Sequence, residues 1–599
     1  MRKFLIGLCF LGLSSGTVFA ASLPEPVSAA LKRARIPLSS VAIVVQEEHE
    51  DAPILSLNAR QAMNPASTMK LLTTFASLET LGPAYRWKTE AYLNGKLENG
   101  VLQGDLVFKG YGDPKLTVEQ FWMWLRELRQ RGLREIRGDI VLDHSFFEGV
   151  SQDPAEFDHD PTRAYNVGTS ALLLNFNALH LHLIPDGKTT IALMEPELAG
   201  YTVRNHITTS AKLNCNGEDA YKARLDGHDI VLEGSIPAAC GEADDYFSLL
   251  PQDEYFFAVF SGLWQELGGT LQGRLRSGTA PADQPPFSRY VSPPLSEVIR
   301  DINKFSNNIM ARQLFLTLGT AETTNDAAHV AQSAAGLLPL YTKDSNDDFS
   351  NARSPGEDPL LAGQEGGDTG GVEMPDPSQE PAGVPIPAPA GSTPKAGNLL
   401  SSKLDAALTP PVGPPLLAPV KGTPPDTRPL GGLGAGSDPP AAPAGSTPVG
   451  TPLLRSDPPA ANISRSAAAM QRWLKTQQLQ FPELVLENGA GLSRTERISA
   501  AHLAELLQRA TRSPFQAELE ASLPILGMDG TVKKRFKDSG VAGYAHLKTG
   551  SLEGVKSLAG YVKAHSGKQW IVVFIVNHPN AASAQPAQDA LIEWLQKGY

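Results

Sequence analysis

The sequence predicts an α/β multidomain protein whose two chain ends meet in one sheet, interrupted by a mainly β insertion and by a long disordered one. Three observations predict it. Short β-branched runs stand at both ends of the chain. A stretch from Arg86 to about Ala280 reads as alternating strands with Gly and Asp turns. Finally, 24 of the 48 prolines fall between residues 341 and 460. At 599 residues the chain exceeds one ordinary core, so several are expected.

Taken in order, Arg2 and Lys3, the apolar run Phe4 to Leu13 and the small-residue site Val18-Phe19-Ala20 read as a secretory signal, with mature protein starting near Ala21. The apolar run is shorter than the roughly 20 residues a spanning helix needs, so a soluble exported protein is expected, with a retained N-terminal anchor as the alternative. Val41 to Val45 and Ile54 to Leu57 suggest a hairpin. Leu71, Leu72, Phe75, Leu78 and Leu81 keep helical spacing. Leu102 to Lys109 and Leu179 to Ile184 exemplify the β insertion. The segment from about 340 to 460 is rich in proline and poor in aromatics, and it repeats Pro-Ala-Gly-Ser-Thr-Pro at residues 389 and 443. Such a segment cannot bury enough apolar surface to offset its conformational entropy, so a disordered insertion is expected. Near the C-terminus, Ser557 to Val562 and Gln569 to Val576 read as strands, followed by a helix from about Gln585 to Gln596.

The net charge of -12 offers no basic field for nucleic acid or an anionic bilayer. Of three cysteines, Cys9 leaves with the signal and lacks a lipoprotein context, which leaves Cys215 and Cys240. In an oxidising compartment a disulfide between them is expected, with two buried thiols as the alternative.

Three short elements could carry chemistry. Ser67-Thr68-Met69-Lys70 opens the helical run, so serine and lysine share one face at a helix start. There a neutral amine can take the hydroxyl proton, and free backbone N–H groups can bind an oxyanion. The spacing alone proves little, because Ser392-Thr393-Pro394-Lys395 repeats it in the Pro-rich segment, where proline excludes the helix. Ser306-Asn307-Asn308 sits between two helical patterns. Ser306 could relay a proton and Asn308 could donate to a substrate amide, whereas the plain reading is a helix cap. Ser56-Leu57-Asn58 shows how easily the pattern arises. Lys548-Thr549-Gly550-Ser551 lies on an expected strand starting near Tyr544. A strand edge can pair with an extended peptide, Lys548 and Thr549 could hold a terminal carboxylate, and the N–H of Ser551 could complete an oxyanion hole. His180 and His182 share a strand face as metal ligands do, but no third ligand is arranged nearby, so no metal is expected. No Gly-x-Ser-x-Gly elbow surrounds Ser67, which argues against a Ser-His-Asp triad.

With Ser-x-x-Lys, Ser-x-Asn and Lys-Thr-Gly in that order, the chain resembles the penicillin-binding protein and serine β-lactamase superfamily. About 235 residues separate Lys70 from Ser306, as in the class C low-molecular-mass penicillin-binding proteins, the D-alanyl-D-alanine carboxypeptidase and endopeptidase family. Lys109 to Pro114, Glu487 to Arg494 and Gly527 to Thr531 agree with that subfamily. The resemblance implies an antiparallel sheet flanked by helices, formed by residues 21–85 and 285–599. It implies two inserted units, one of residues 86–165 and 250–284 and one of residues 166–249. It further implies a periplasmic enzyme acting on peptidoglycan stem peptides, acylated by β-lactam antibiotics, with no cofactor. A carboxylate of the insertion, Asp160 or equally Asp158, would meet the amine of the substrate's diamino acid. A serine β-lactamase and a non-catalytic penicillin-sensing or wall-binding protein are the alternatives. Loose membrane association, a homodimer and the balance of the two peptidase activities stay open.

Overall fold

The computed structural model describes residues 23–150, 153–211, 221–320, 460–537 and 539–598. The expected signal sequence, Cys215, the copy at Ser392 and the Pro-rich segment up to residue 459 lie outside the described residues.

The two chain ends do share a sheet. Its order is Ala545–Leu552, Val555–Lys563, Gln569–Asn577, Val41–Glu47, Leu55–Leu57, every neighbour antiparallel. Both faces are covered, which is why these strands read as nearly continuous apolar runs instead of alternating ones. On one face Val41, Ile43, Val45, Val572 and Phe574 pack with the N-terminal helix Glu25–Arg33 and the C-terminal helix Gln585–Gly598. On the other, Ala42, Val44, Ile571 and Val573 join the helices Lys70–Leu81, Leu295–Phe305, Asn308–Leu318 and Ala500–Thr511. A shift of one residue in register would exchange these two sets, so the pairing is strongly specified.

The Lys70–Leu81 helix is the centre of that second layer. Residues 70 to 78 are all buried. Its polar members are satisfied inside: Thr74 and Ser77 donate to the carbonyls one turn back, both at 2.8 Å, and Thr73 reaches Gly489 O at 2.6 Å. A helix this deeply enclosed holds whatever stands at its first turn in one place.

The insertion is built on two sheets. Lys88–Glu98 and Val101–Gly110 form a hairpin whose turn residues Asn99 and Gly100 have φ of 53° and 86°, the geometry two-residue hairpin turns favour. A seven-stranded sheet grows around that hairpin, and the strands Leu179–Asp186, Thr189–Glu195, Thr202–Ser210, Tyr221–Asp226, Asp229–Pro237 and Ala243–Phe247 form a six-stranded one. Two long helices, Val118–Gln130 and Gln252–Glu266, were not foreseen. Both press aromatic rings on Phe108, which contacts Phe121, Trp124, Phe256 and Phe260 at centroid distances of 5.4 to 5.9 Å. Ser288–Val291, which the sequence reading placed with residues 21–85 and 285–599, adds to the inserted sheet beside Lys88–Glu98. The insertion is bound to the helical layer by Trp87 Nε1 on Thr317 (2.9 Å), by Gln313 Nε2 on Ser170 O (2.7 Å), and by Lys115 between Glu297 and Asp301. No helix among the described residues is long and apolar enough to cross a membrane.

Candidate active site

The chain enters the Lys70 helix through a sharp, pinned turn. Asn64 holds it: its Oδ1 accepts from the N–H of Ala66 at 2.9 Å and its Nδ2 donates to Ser493 O at 2.8 Å. Ala66 adopts φ of 46°, and Ala66–Met69 forms a short 3-10 turn before the α-helix begins at Lys70. A non-glycine residue in the left-handed region costs on the order of 1 kcal/mol and persists only where neighbours fix it. Two glycines allow that packing. A Cβ on Gly491 would lie 1.9 Å from Ala66 O, and one on Gly550 would lie 2.9 Å from Ser67 N and 2.8 Å from Pro65 O. Ser67 therefore sits on the first helical turn, as expected, wedged between a glycine loop and the edge strand.

Two buried lysines stand at this point. Lys70 Nζ donates to Ser67 Oγ at 2.9 Å, to Asn308 Oδ1 at 2.6 Å and to Ala490 O at 2.5 Å. Lys548 Nζ donates to Ser306 Oγ and to Thr549 O, both at 2.8 Å. Neither lysine side chain is exposed to solvent. Burial lowers the amine of Lys70 well below the usual lysine range, helped by the charges of Lys548 and Arg312 and opposed by Glu496. Burial alone brings Lys548 down to about 7. Burial and the neighbouring charge of Lys548 thus both favour the uncharged amine at Lys70, the form that can take a proton from Ser67.

Ser306-Asn307-Asn308 occupies the junction between the Leu295–Phe305 and Asn308–Leu318 helices. The cap and the functional reading turn out to be divided among the three residues. Asn307 caps the second helix, its Oδ1 accepting from Met310 N at 3.0 Å. Ser306, at φ of 59°, and Asn308 are the two that meet the lysines.

Lys548, Thr549, Gly550 and Ser551 lie on the edge strand Ala545–Leu552. Its outer edge is covered at the start, where Leu547 N donates to Pro524 O and Leu526 N donates to Ala545 O. By the alternation of an antiparallel strand, Thr549 and Ser551 present their backbone groups to the same edge, next to Ser67. Thr549 is steadied by Thr531 at 2.8 Å between hydroxyl oxygens. The turn carrying Thr531 is tied to the end of the Leu295–Phe305 helix by Lys304 and Asp529 at 2.6 Å. The three motifs are thus fixed to one another by side-chain contacts.

Sequence reasoning missed three participants: the carbonyl of Ala490, and the buried charges of Arg312 and Glu496. A carbonyl carries no residue signature. The signal that could have found the first is the Glu487 to Arg494 stretch, which supplies the loop behind Lys70. Asp160 is committed locally, its Oδ1 accepting from Thr162 N and Oγ1 and its Oδ2 pairing with Arg163 at 2.8 Å. Asp158 accepts from Tyr165 and Asn166. Phe157 of the same segment lies under the Arg494 guanidinium at 4.7 Å, one residue from Ser493, whose carbonyl holds Asn64. His180 and His182 both bond Asp244 at 2.8 Å. Cys240 ends the short turn Ala238–Cys240.

This sheet, helical layer and insertion are the architecture of the low-molecular-mass penicillin-binding proteins of the carboxypeptidase type. Residues 23–337 and 458–598 match the D-Ala-D-Ala carboxypeptidase 3 (S13) family, and the chain belongs to it. It is 24% identical over 289 residues to the D-alanyl-D-alanine carboxypeptidase DacB of Haemophilus influenzae, a match covering 46% of this chain and 58% of that relative. It is 24% identical over 595 residues to the D-alanyl-D-alanine carboxypeptidase of Actinomadura sp., covering 95% of this chain and 83% of the relative. The crystal structure of penicillin binding protein 4 from Haemophilus influenzae shares the fold, with a TM-score of 0.60 at 18% identity over 95% of this chain and 99% of that one.

Proposed function

We propose that the protein is a periplasmic serine carboxypeptidase that removes the terminal D-alanine of peptidoglycan stem peptides through an acyl-enzyme on Ser67. The observation that carries this reading is Lys70 Nζ, buried, 2.9 Å from Ser67 Oγ and beside a second lysine that disfavours its charge. Lys70 takes the proton of Ser67 Oγ as that oxygen attacks the carbonyl of the penultimate D-alanine. The oxyanion rests on the N–H groups of Ser67 and Ser551. Ser306 gives its proton to the leaving amine and is resupplied by the Lys548 ammonium, 2.8 Å away. D-alanine departs, and water cleaves the ester.

Binding follows from the same groups. The substrate peptide pairs with the open edge at Thr549 and Ser551. Gly550 admits its backbone close to Ser67, and Lys548 and Thr549 face the terminal carboxylate. Asn308, with Oδ1 taken by Lys70, offers its Nδ2 to the substrate amide. Cleavage of a crosslink is the same step with another amine leaving, which makes DD-endopeptidase activity part of the proposal. Asp160 would meet a diamino-acid amine only by exchanging it for Arg163. The Haemophilus influenzae penicillin binding protein 4 has been solved in complex with a β-lactam, which supports acylation of Ser67 by such compounds here. A disulfide between Cys240 and Cys215 is part of the proposal, as expected for two cysteines in an oxidising compartment. The test is Ser67→Ala: D-alanine release from a D-alanyl-D-alanine peptide should vanish while the protein melts as before, and unchanged release would refute the reading.

A further inference from the structure

We propose that Glu496 is a positioning residue for Lys70, holding the loop that aims the Ala490 carbonyl at the lysine amine and supplying the negative charge that faces it. The inference rests on Lys70 acting as the base for Ser67. Glu496 is completely buried, and its Oε1 gathers three successive backbone N–H groups, of Glu487 at 3.1 Å, Asn488 at 2.9 Å and Gly489 at 2.9 Å. The next two peptide groups do the work at the site. The carbonyl of Gly489 accepts from Thr73, and that of Ala490 accepts from Lys70, on one face of the same helix. Gly491 then packs against Ala66 and the backbone of Ser67. One carboxylate oxygen thereby fixes a run of residues that touches the lysine and the serine at once.

The charges around Lys70 come from three packed elements: Lys548 on the edge strand, Arg312 on the Asn308–Leu318 helix, and Glu496 on this loop. Ser67, Asn308 and the carbonyl of Ala490 complete its surroundings without charge. Two of the three charged groups are cations, so Glu496 is what limits the loss of the proton from Lys70; burial raises its own carboxyl, and the three N–H groups it gathers oppose that rise and hold the anion. Arg312 is 2% exposed, and its Nε, like Oε2 of Glu496, is buried without a protein partner among the described residues. Two opposite charges kept at this depth are expensive to bury and are not explained by the packing alone.

The experiment is the second-order rate of acylation by a fluorescent penicillin as a function of pH, for the parent, Glu496→Gln, Glu496→Asp and Arg312→Gln, with thermal melts to confirm folding. The rate rises with pH as Lys70 loses its proton. Glutamine keeps an acceptor oxygen but removes the charge, so its rising limb should move about one pH unit lower. Arg312→Gln removes a cation and should move the limb higher. Aspartate keeps the charge and retracts the loop, so its limb should stay while its plateau falls roughly tenfold. A Glu496→Gln limb that coincides with the parent's overturns the proposal. Should Glu496→Gln fail to fold, an Arg312→Gln limb that stays put or moves lower overturns it. A parent that takes up no penicillin on Ser67 refutes the proposed function instead, which keeps the two failures distinct.

Discussion

Replacing Asp113 by asparagine should stabilise the protein at neutral and alkaline pH and not in acid. Asp113 belongs to the Lys109 to Pro114 stretch and is 3% exposed. Its Oδ1 accepts from Lys115 N at 2.8 Å, while Oδ2 is buried without a partner. The ammonium of Lys115, which lowers the carboxyl of Asp113, is already engaged by Glu297 and Asp301. Burial raises the carboxyl from 3.8 to about 7, against the pull of Lys115. With the folded value above the unfolded one, the folded state binds more protons between them. The stability this provides is complete below the unfolded value and is lost as pH rises through about 7. Roughly three units at about 1.4 kcal/mol each make that loss about 4 kcal/mol. Asparagine keeps the acceptor and does not titrate. Urea unfolding of both proteins at about pH 4 and about pH 8 isolates the one carboxyl, since every other titrating group is shared. The advantage of Asp113→Asn should be greater at the higher pH by about 4 kcal/mol. An advantage equal at both pH values would refute the reasoning.

Two further outcomes concern the site. Gly550→Ala places a methyl 2.2 Å from Ser557 Oγ, 2.8 Å from Pro65 O and 2.9 Å from Ser67 N, so the turn that carries Ser67 must shift: penicillin acylation should fall at least roughly tenfold by stopped-flow fluorescence, and the melting temperature should drop as well. Lys548, at about 7, is protonated only below that value, so kcat/KM for a D-alanyl-D-alanine peptide should fall as pH rises above it. A profile flat through the alkaline range would contradict the role given to its ammonium.

Much of the fold was legible because the sheet's strands are short, apolar and β-branched, and because Leu71 to Leu81 keeps a helical period. The two inserted helices were not legible because the Gly and Asp turns between strands dominate the pattern around them. Phe121, Trp124, Leu125 and Leu128 do carry the helical spacing. The site's nucleophile, lysines and hydroxyls were legible as motifs, since side-chain identity is what their chemistry requires. What surrounds Lys70 was not. The Ala490 carbonyl is backbone, and Glu496 and Arg312 are charged residues that sequence patterns assign to a surface, yet both are buried. The functional reading of Asp160 was open for the opposite reason: only the folded turn reveals that Arg163 and Thr162 already hold it.

The most direct test of the account is to incubate the protein with a penicillin, digest it with trypsin and locate the mass adduct. Trypsin releases Ser67 on the peptide Gln61 to Lys70. The account predicts a single adduct, on that peptide, absent from Ser67→Ala. An adduct on any other peptide, or one that survives the substitution, would contradict it.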